Sequence, residues 1–118
     1  SVIYAYDAEG KPTWYVMPGG QWNGARTAFS GALYAPRGSP YTHYEAEAFR
    51  VGEPVGQATF EVIGGASVTL DYIIQGVSGR KSLTRQGFGP VDTALASDRA
   101  DMWWGGAAQN GWGMALLQ

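Results

Sequence analysis

The sequence predicts an all-β fold: a single domain over residues 1–118, built as an antiparallel up-and-down barrel of about eight strands. Three observations predict this fold. Polar and apolar residues alternate along several short runs, which is the period of a half-buried strand. Aromatic residues make up 14% of the chain and charged residues only 15%, a composition that favours strands over helices. Glycine occurs 18 times and separates the runs, as expected of a protein with many tight turns.

The first predicted element is an N-terminal β-hairpin. Its strands cover Val2–Tyr6 and Thr13–Met17, and the Asp7–Pro12 segment between them contains the glycine and proline of a turn. Trp14 and Tyr15 are consecutive in the second strand, so their side chains must point to opposite faces of the sheet. One of these two aromatic rings is therefore expected outside the core.

Two further strands are predicted after this hairpin. They cover Ala28–Tyr34 and Tyr44–Val51. The Pro36–Pro40 segment between them is rich in proline, glycine and serine, which is typical of a loop.

The clearest alternation lies in the next three predicted strands. The runs Gln57–Val62 and Val68–Ile74 carry an apolar residue at every second position, and Gly64–Gly65 between them indicates a hairpin turn. Gly76–Gly79 indicates the following turn, which leads into a strand over Arg80–Gln86. The apolar positions of these strands are expected to form one side of the core.

The C-terminal part of the chain is predicted to hold one strand, Trp112–Gln118. The loop Gly87–Gly111 precedes it, and within that loop Val91–Asp101 is a short, weakly patterned connector with a helical turn. In a closed up-and-down barrel the last strand neighbours the first. We therefore expect Trp112–Gln118 to pair with Val2–Tyr6, which makes the strand order out of phase with the sequence.

Three segments together carry a resemblance to a known family: YDAEGKPTWYV, GVSGRKSLTRQGFG and WWGGAAQNGWGMALLQ. They resemble a Trp/Gly-rich β module found, often repeated, in secreted or surface proteins of Gram-negative bacteria. In that module a WW…GWG element comes first, then the YD…PTWY hairpin, then the GV…TRQ strand. Here the WW…GWG element comes last, which agrees with an out-of-phase strand order. The resemblance is weakest over residues 37–55, and it implies a secreted, periplasmic or cell-surface location.

A second resemblance is to the calycin-like barrels, the lipocalins and the avidin-like proteins. The lipocalins pack a Trp of the first strand under an Arg of the last strand. In module order Trp112 lies on the first strand and Arg85 on the last, on the predicted inner face with Leu83. The resemblance implies that Trp112 and Arg85 are structural residues, stacked to close one end of the barrel.

Composition argues against several classes of function. The absence of cysteine excludes disulfides, thiolate catalysis and cysteine metal sites. His43 is the only histidine, so one chain holds no multi-histidine metal site, and His43 is expected to have a surface or structural role. The formal charge of −2, without a Lys/Arg block, argues against nucleic-acid binding. No apolar run approaches the roughly 20 residues of a membrane-spanning helix. We predict no metal and no cofactor.

Carboxylates are the remaining candidates for catalysis. A glycosidase needs two carboxyl groups about 5–10 Å apart, which Glu61 with Asp71, or Glu45 with Glu47, could supply. Alternation places Glu61 and Asp71 opposite the apolar positions of their strands, so they are expected to face solvent. The sequence therefore predicts no catalytic residues and no enzyme.

Aromatic residues are the best candidates for function, because exposed aromatic surface is typical of ligand contacts. The predicted ligand-binding residues are Tyr4, Tyr6, Trp14, Trp22, Trp103 and Trp104. The favoured hypothesis is a non-catalytic module that binds a small apolar or ring-bearing molecule, in a cavity near the first four of these residues, or a carbohydrate on a surface Trp. The alternative is a structural module that assembles into homo-oligomers through strand exchange or aromatic interfaces.

Overall fold

The computed structural model describes residues 1–86, 101–109 and 113–116 of the chain. Within these ranges the chain is all-β, with nine strands, no α-helix and two short 3-10 turns. The strands are β1 (Val2–Tyr6), β2 (Pro12–Val16), β3 (Gln21–Trp22), β4 (Ala28–Leu33), β5 (Gly56–Gly64), β6 (Ser67–Ile74), β7 (Val77–Arg85), β8 (Asp101–Trp104) and β9 (Gly113–Leu116). The 3-10 turns are Ala46–Ala48 and Ala107–Gln109.

The described strands form one curled sheet, a half-barrel, in the order β2-β1-β9-β8-β7-β6-β5-β4-β3. Every neighbouring pair is antiparallel, which confirms the all-β, antiparallel prediction. Val16 and Tyr34 form a backbone bridge with two N–H···O bonds of 2.9 Å. This bridge ties the end of β2 to the residue that follows β4.

The core lies on the inner face of the curl. Its buried residues alternate with more exposed ones in β1, β5 and the first half of β6, as a half-buried sheet requires. They are Ile3, Ala5, Tyr15, Met17, Leu33, Ala58, Phe60, Val68, Leu70, Ile74, Leu83, Trp103, Met114 and Leu116. The inward positions predicted for β5 and β6 are confirmed by the burial of Ala58, Phe60, Val68, Leu70 and Ile74.

The expected pairing of the last strand with the first is confirmed. β9 runs antiparallel to β1, with Val2 opposite Ala115, Ile3 opposite Met114 and Tyr4 opposite Gly113. Trp112, Leu117 and Gln118, which the prediction included in this strand, lie outside the described residues. The strand that comes last in the sequence therefore fills the gap between β1 and β8.

The segment between β7 and β9 differs from its prediction. Residues 87–111 were predicted to be a loop, whereas Asp101–Trp104 forms β8 and pairs with both β7 and β9. Two consecutive tryptophans are strong strand formers, and β8 supplies the hydrogen-bond partner that β7 and β9 would otherwise lack. The connector predicted over Val91–Asp101 lies outside the described residues, except for its last residue.

The strand predicted over Tyr44–Val51 is wrong. This segment contains the 3-10 turn Ala46–Ala48, and its one ladder contact is the bridge between Arg37 and Arg50. The physical reason is that β5, the next strand in the sequence, offers this segment no edge, since β5 is already paired with β4 on one side and β6 on the other. A strand without a partner cannot satisfy its backbone groups, so the segment stays a loop.

The turn between β6 and β7 falls earlier than its prediction. It consists of Gln75 and Gly76, whose φ values of 50° and 81° are those of a two-residue type I′ hairpin turn. Gly79, assigned to the turn by the sequence analysis, lies inside β7 opposite Tyr72. The Tyr72 ring occupies the space where a side chain on Gly79 would stand, so this glycine serves packing rather than chain reversal.

Candidate functional site

Three of the six predicted ligand-binding aromatics lie together on the outer face of the β1–β2 hairpin. Tyr4 is directly opposite Trp14 in the ladder, and Tyr6 is opposite Pro12. Tyr4, Tyr6 and Trp14 are 48%, 54% and 47% exposed. Neighbouring residues thus cover about half of each of these residues, and the other half is exposed to solvent. We call these three residues the aromatic platform.

The hairpin places the aromatic platform on a rigid support. The Asp7 carboxylate accepts backbone N–H bonds from Glu9 at 3.0 Å and from Lys11 at 2.8 Å, which fixes the turn. Gly10 has a φ of 76°, the left-handed conformation that glycine adopts without strain. Pro12 begins β2, the last strand of the sheet on this side, where its missing N–H costs no ladder bond.

The opposite face of the same hairpin anchors it in the core. Ile3 and Ala5 on β1 are 1% and 5% exposed, and Tyr15 on β2 is 7% exposed. Because successive strand residues point to opposite faces, burial of these three fixes the outward direction of their neighbours. The expectation that Trp14 and Tyr15 face opposite ways is confirmed.

Trp22 lies apart from the aromatic platform, on the inner side of the sheet. Its ring is 5.3 Å from that of Phe29 in a tilted arrangement, and the Phe29 ring is 6.4 Å from that of Phe60. Such geometry is typical of packed aromatic pairs in a core. The structure therefore does not bring Trp22 together with Tyr4, Tyr6 and Trp14 around one cavity.

The interior beside Trp22 is filled. The void bounded by Trp22, Phe60, Trp103 and Met114 measures about 10 Å³. A single water needs roughly that volume, whereas ligand pockets measure about 300–1,000 Å³. This part of the interior has no room for a small-molecule ligand.

Trp103 was predicted as a ligand contact, but it is 2% exposed and belongs to the core. It lies directly opposite Met114 on β9 and Arg85 on β7. By register, the described tryptophan beside Arg85 is therefore Trp103. Trp112, which the calycin-like resemblance paired with Arg85, lies outside the described residues. Trp104 occupies the next ladder position, between Gly113 and Thr84.

The outer face of β5, β6 and β7 is polar, as predicted for Glu61 and Asp71. Arg80 donates from Nε to Asp71 Oδ1 at 2.5 Å and from Nη2 to Oδ2 at 2.8 Å. This hydrogen-bonded pair holds the pKa of Asp71 below its usual value and raises that of Arg80. Asp71 is therefore ionised at neutral pH and paired with Arg80, so it carries no proton that it could donate.

The Asp71–Arg80 pair was not predicted from the sequence, although the pair follows from the hairpin. The two-residue turn at Gln75–Gly76 sets Asp71 directly opposite Arg80 in the ladder. The turn predicted from the sequence lay later, at Gly76–Gly79, so that prediction did not set these two residues opposite each other. Shallow grooves of about 470 and 450 Å³ cross this polar face, and both reach Gln57 and Thr59.

In residues 1–86, 101–109 and 113–116, no group of three or more His, Asp or Glu side chains is placed to hold a metal ion. His43 is exposed in the loop between β4 and β5. In the same ranges, no helix has the length and apolar character to cross a membrane. Comparisons with family models, with curated proteins and with solved structures found no match for this chain.

Proposed function

We propose that this chain is a non-catalytic module that binds carbohydrate on the aromatic platform of Tyr4, Tyr6 and Trp14. The single observation that carries the proposal is the exposure of three aromatic residues at adjacent ladder positions on the outer face of a hydrogen-bonded hairpin. Sugar rings carry C–H groups on their faces and hydroxyls at their edges. An aromatic ring that is half exposed offers an apolar surface for the face, and a Tyr hydroxyl can bond the edge.

The filled interior supports a surface site over a cavity site. The void beside Trp22 is only about as large as one water molecule, so a small apolar ligand does not fit there. The aromatic platform, by contrast, is preformed on two hydrogen-bonded strands. Preformed sites bind more tightly because little conformational entropy is lost on binding.

The placement of the three family-like segments supports membership of the Trp/Gly-rich module and a secreted or cell-surface location. β8 and β9 come from the WW…GWG segment, β1 and β2 from the YD…PTWY segment, and β7 from the GV…TRQ segment. In the sheet these strands are adjacent, in the order β2-β1-β9-β8-β7. The bridge between Val16 and Tyr34 supports a closed, calycin-like barrel in which β2 and β3 count as one bent strand among eight.

The test is binding to an array of immobilised glycans, followed by affinity measurements on two variants. We expect Trp14→Ala and Tyr6→Ala each to weaken binding about tenfold, which is about 1.4 kcal/mol. Both residues are exposed, so the free energy of unfolding should fall by less than about 1 kcal/mol.

Tyr44→Ala is the matched control, because Tyr44 is 81% exposed in the loop before β5 and lies outside the aromatic platform. It should bind as the unaltered protein does. Equal losses in Tyr6→Ala and Tyr44→Ala, or no binding to any glycan by the unaltered protein, would refute the proposal.

The alternative function is a structural module that forms homo-oligomers. The observation in its favour is the same exposed aromatic surface, next to the part of the β2 edge that precedes the Val16–Tyr34 bridge. Native mass spectrometry separates the two functions. A stable dimer that Trp14→Ala dissolves would favour assembly, whereas a monomer that gains the mass of an oligosaccharide would favour binding.

A further inference from the structure

The aromatic platform is one part of a wider apolar surface. Next to the Tyr4–Trp14 pair, the ladder continues with Val2 opposite both Val16 and Ala115, and Ala115 opposite Met102. Val2, Val16 and Ala115 are partly exposed, and Met102 is 38% exposed. We call Val2, Val16, Ala115 and Met102 the aliphatic row. It crosses the same outer face over four strands, β2, β1, β9 and β8.

This surface carries no charged side chain at the described positions. The outer positions of the four strands whose side chains the structure describes are Val2, Tyr4, Tyr6, Pro12, Trp14, Val16, Met102 and Ala115. The nearest charges on the hairpin are in its turn, at Asp7, Glu9 and Lys11. The next three strands, β7, β6 and β5, differ: their outer face carries Arg80, Asp71 and Glu61. The outer surface thus has an uncharged region over β2, β1, β9 and β8 and, beside it, a charged region over β7, β6 and β5.

From this division we infer the ligand class: an extended, uncharged oligosaccharide or polysaccharide that lies across the strands, over the aromatic platform and the aliphatic row. The inference rests on the proposed carbohydrate-binding function. A site for sulfated, phosphorylated or uronic-acid glycans needs Lys or Arg to offset the charge of the ligand, and none lies on this face in the described part of the chain.

The width of the surface sets the length of the ligand. Neighbouring strands are about 4.8 Å apart, so the four strands span roughly 14 Å. That distance exceeds one sugar ring. A monosaccharide would therefore cover only part of the surface, and a chain of several rings would bury more apolar area and bind more tightly.

The experiment is calorimetric titration of the full chain with defined sugars. The neutral probes are cellohexaose, xylohexaose and chitohexaose with their monosaccharides, and the anionic probes are a heparin hexasaccharide and an oligogalacturonate. We expect at least one neutral hexasaccharide to bind at least about tenfold more tightly than its monosaccharide. Its Kd should change less than about twofold between roughly 20 and 500 mM NaCl, because no ion pair forms.

Met102→Lys tests the aliphatic row, because it places a charge within the proposed contact surface. It should weaken binding of the neutral hexasaccharide about fivefold or more. Ile73→Lys is the matched control, since Ile73 is 43% exposed on the outer face of β6 and lies in the charged region. It should leave the affinity unchanged. Met102→Gln, which adds polarity without charge, replaces Met102→Lys if that variant fails to fold.

The outcomes separate this inference from the function on which it rests. Tighter binding of an anionic glycan, or a steep loss of affinity with salt, overturns the uncharged-ligand inference and leaves carbohydrate binding standing. Equal affinity for monosaccharide and hexasaccharide, or no effect of either Met102 variant, overturns the extended site. Failure of every probe to bind, or burial of this face in a stable dimer, overturns both.

Discussion

Single residues on neighbouring positions of one strand have opposite roles in this protein. Trp14 is 47% exposed, whereas Tyr15, the next residue, is 7% exposed and packs in the core. The same contrast separates Tyr4 from Ile3 on β1. Because a strand turns successive side chains to opposite faces, a substitution at an outward position should change binding, and one at an inward position should change stability.

The Asp71–Arg80 pair gives a prediction at the residue scale. Arg80→Ala removes both hydrogen bonds to the Asp71 carboxylate, so the pKa of Asp71 should rise toward its ordinary value. Carbon-detected NMR titration of the carboxyl groups measures this change directly. Arg26→Ala, in an exposed turn, is the control and should leave the pKa of Asp71 unchanged.

The sign of the accompanying pH dependence follows from linkage. The pKa of Asp71 is lowered in the folded state, so the pair contributes stability above the unfolded pKa of about 4. That contribution is lost as pH falls through the lowered folded pKa. The urea midpoint of the unaltered protein should therefore fall more steeply in acid than that of Arg80→Ala. Parallel curves for the two proteins would contradict the assignment.

At the scale of elements, the ladder between β5 and β6 is one of the two longest in the described sheet. The glycines at the two ends of β5 differ in what surrounds them. A Cβ on Gly56 would overlap the backbone carbonyl oxygen of Ile73 in β6. A Cβ on Gly64 would meet nothing within 4 Å. The first glycine is therefore required by strand packing, and the second is not.

Gly56→Ala should lower the free energy of unfolding by at least about 2 kcal/mol, because a backbone atom cannot move aside without breaking the ladder. Gly64→Ala should change it by less than about 0.5 kcal/mol. Urea denaturation of both variants measures the difference. Similar losses for the two variants would show that the β5–β6 approach at Gly56 is looser than described.

At the scale of the whole molecule, the pairing of β9 with β1 places the last described strand directly beside the first. Val2 lies opposite Ala115, so the end of β9 is beside the start of β1. Joining Gln118 to Ser1 would then create a short hairpin connection of the kind that antiparallel neighbours favour. The order of the strands in space does not depend on where the chain is cut.

A circular permutant should therefore keep the fold. With Gln118 joined to Ser1 and new termini between Gly52 and Glu53, both exposed, the free energy of unfolding should stay within about 2 kcal/mol of the original. Glycan binding should be retained. A permutant cut between Leu70 and Asp71, inside β6, is the control and should not fold. Failure of the first permutant alone would contradict the β9–β1 pairing.

Much of the fold could be predicted because alternation carries the information. In β5 and β6 polar residues separate the apolar ones, so the inward burial of Phe60 and Leu70 and the outward position of Glu61 followed from period two. The antiparallel all-β class and the pairing of β9 with β1 followed from turn signals and barrel topology. β8 and the loop over Tyr44–Val51 could not be predicted in this way. Whether a segment forms a strand depends on a neighbouring strand with an unpaired edge, and the local sequence does not show whether such a neighbour is present.

The sequence by itself determined that the aromatic residues of the N-terminal hairpin could not all be buried on one side of it, because consecutive residues such as Trp14 and Tyr15 face opposite sides. It could not decide which of them would be exposed. Val2–Tyr6 is apolar or aromatic at every position, so alternation marks no inward face. Only the tertiary structure decided this, through the register of β1 with β2 and β9. That register sends Ile3 and Ala5 into the core and leaves Tyr4, Tyr6 and Trp14 on the surface, because a shift by one residue would exchange the two faces.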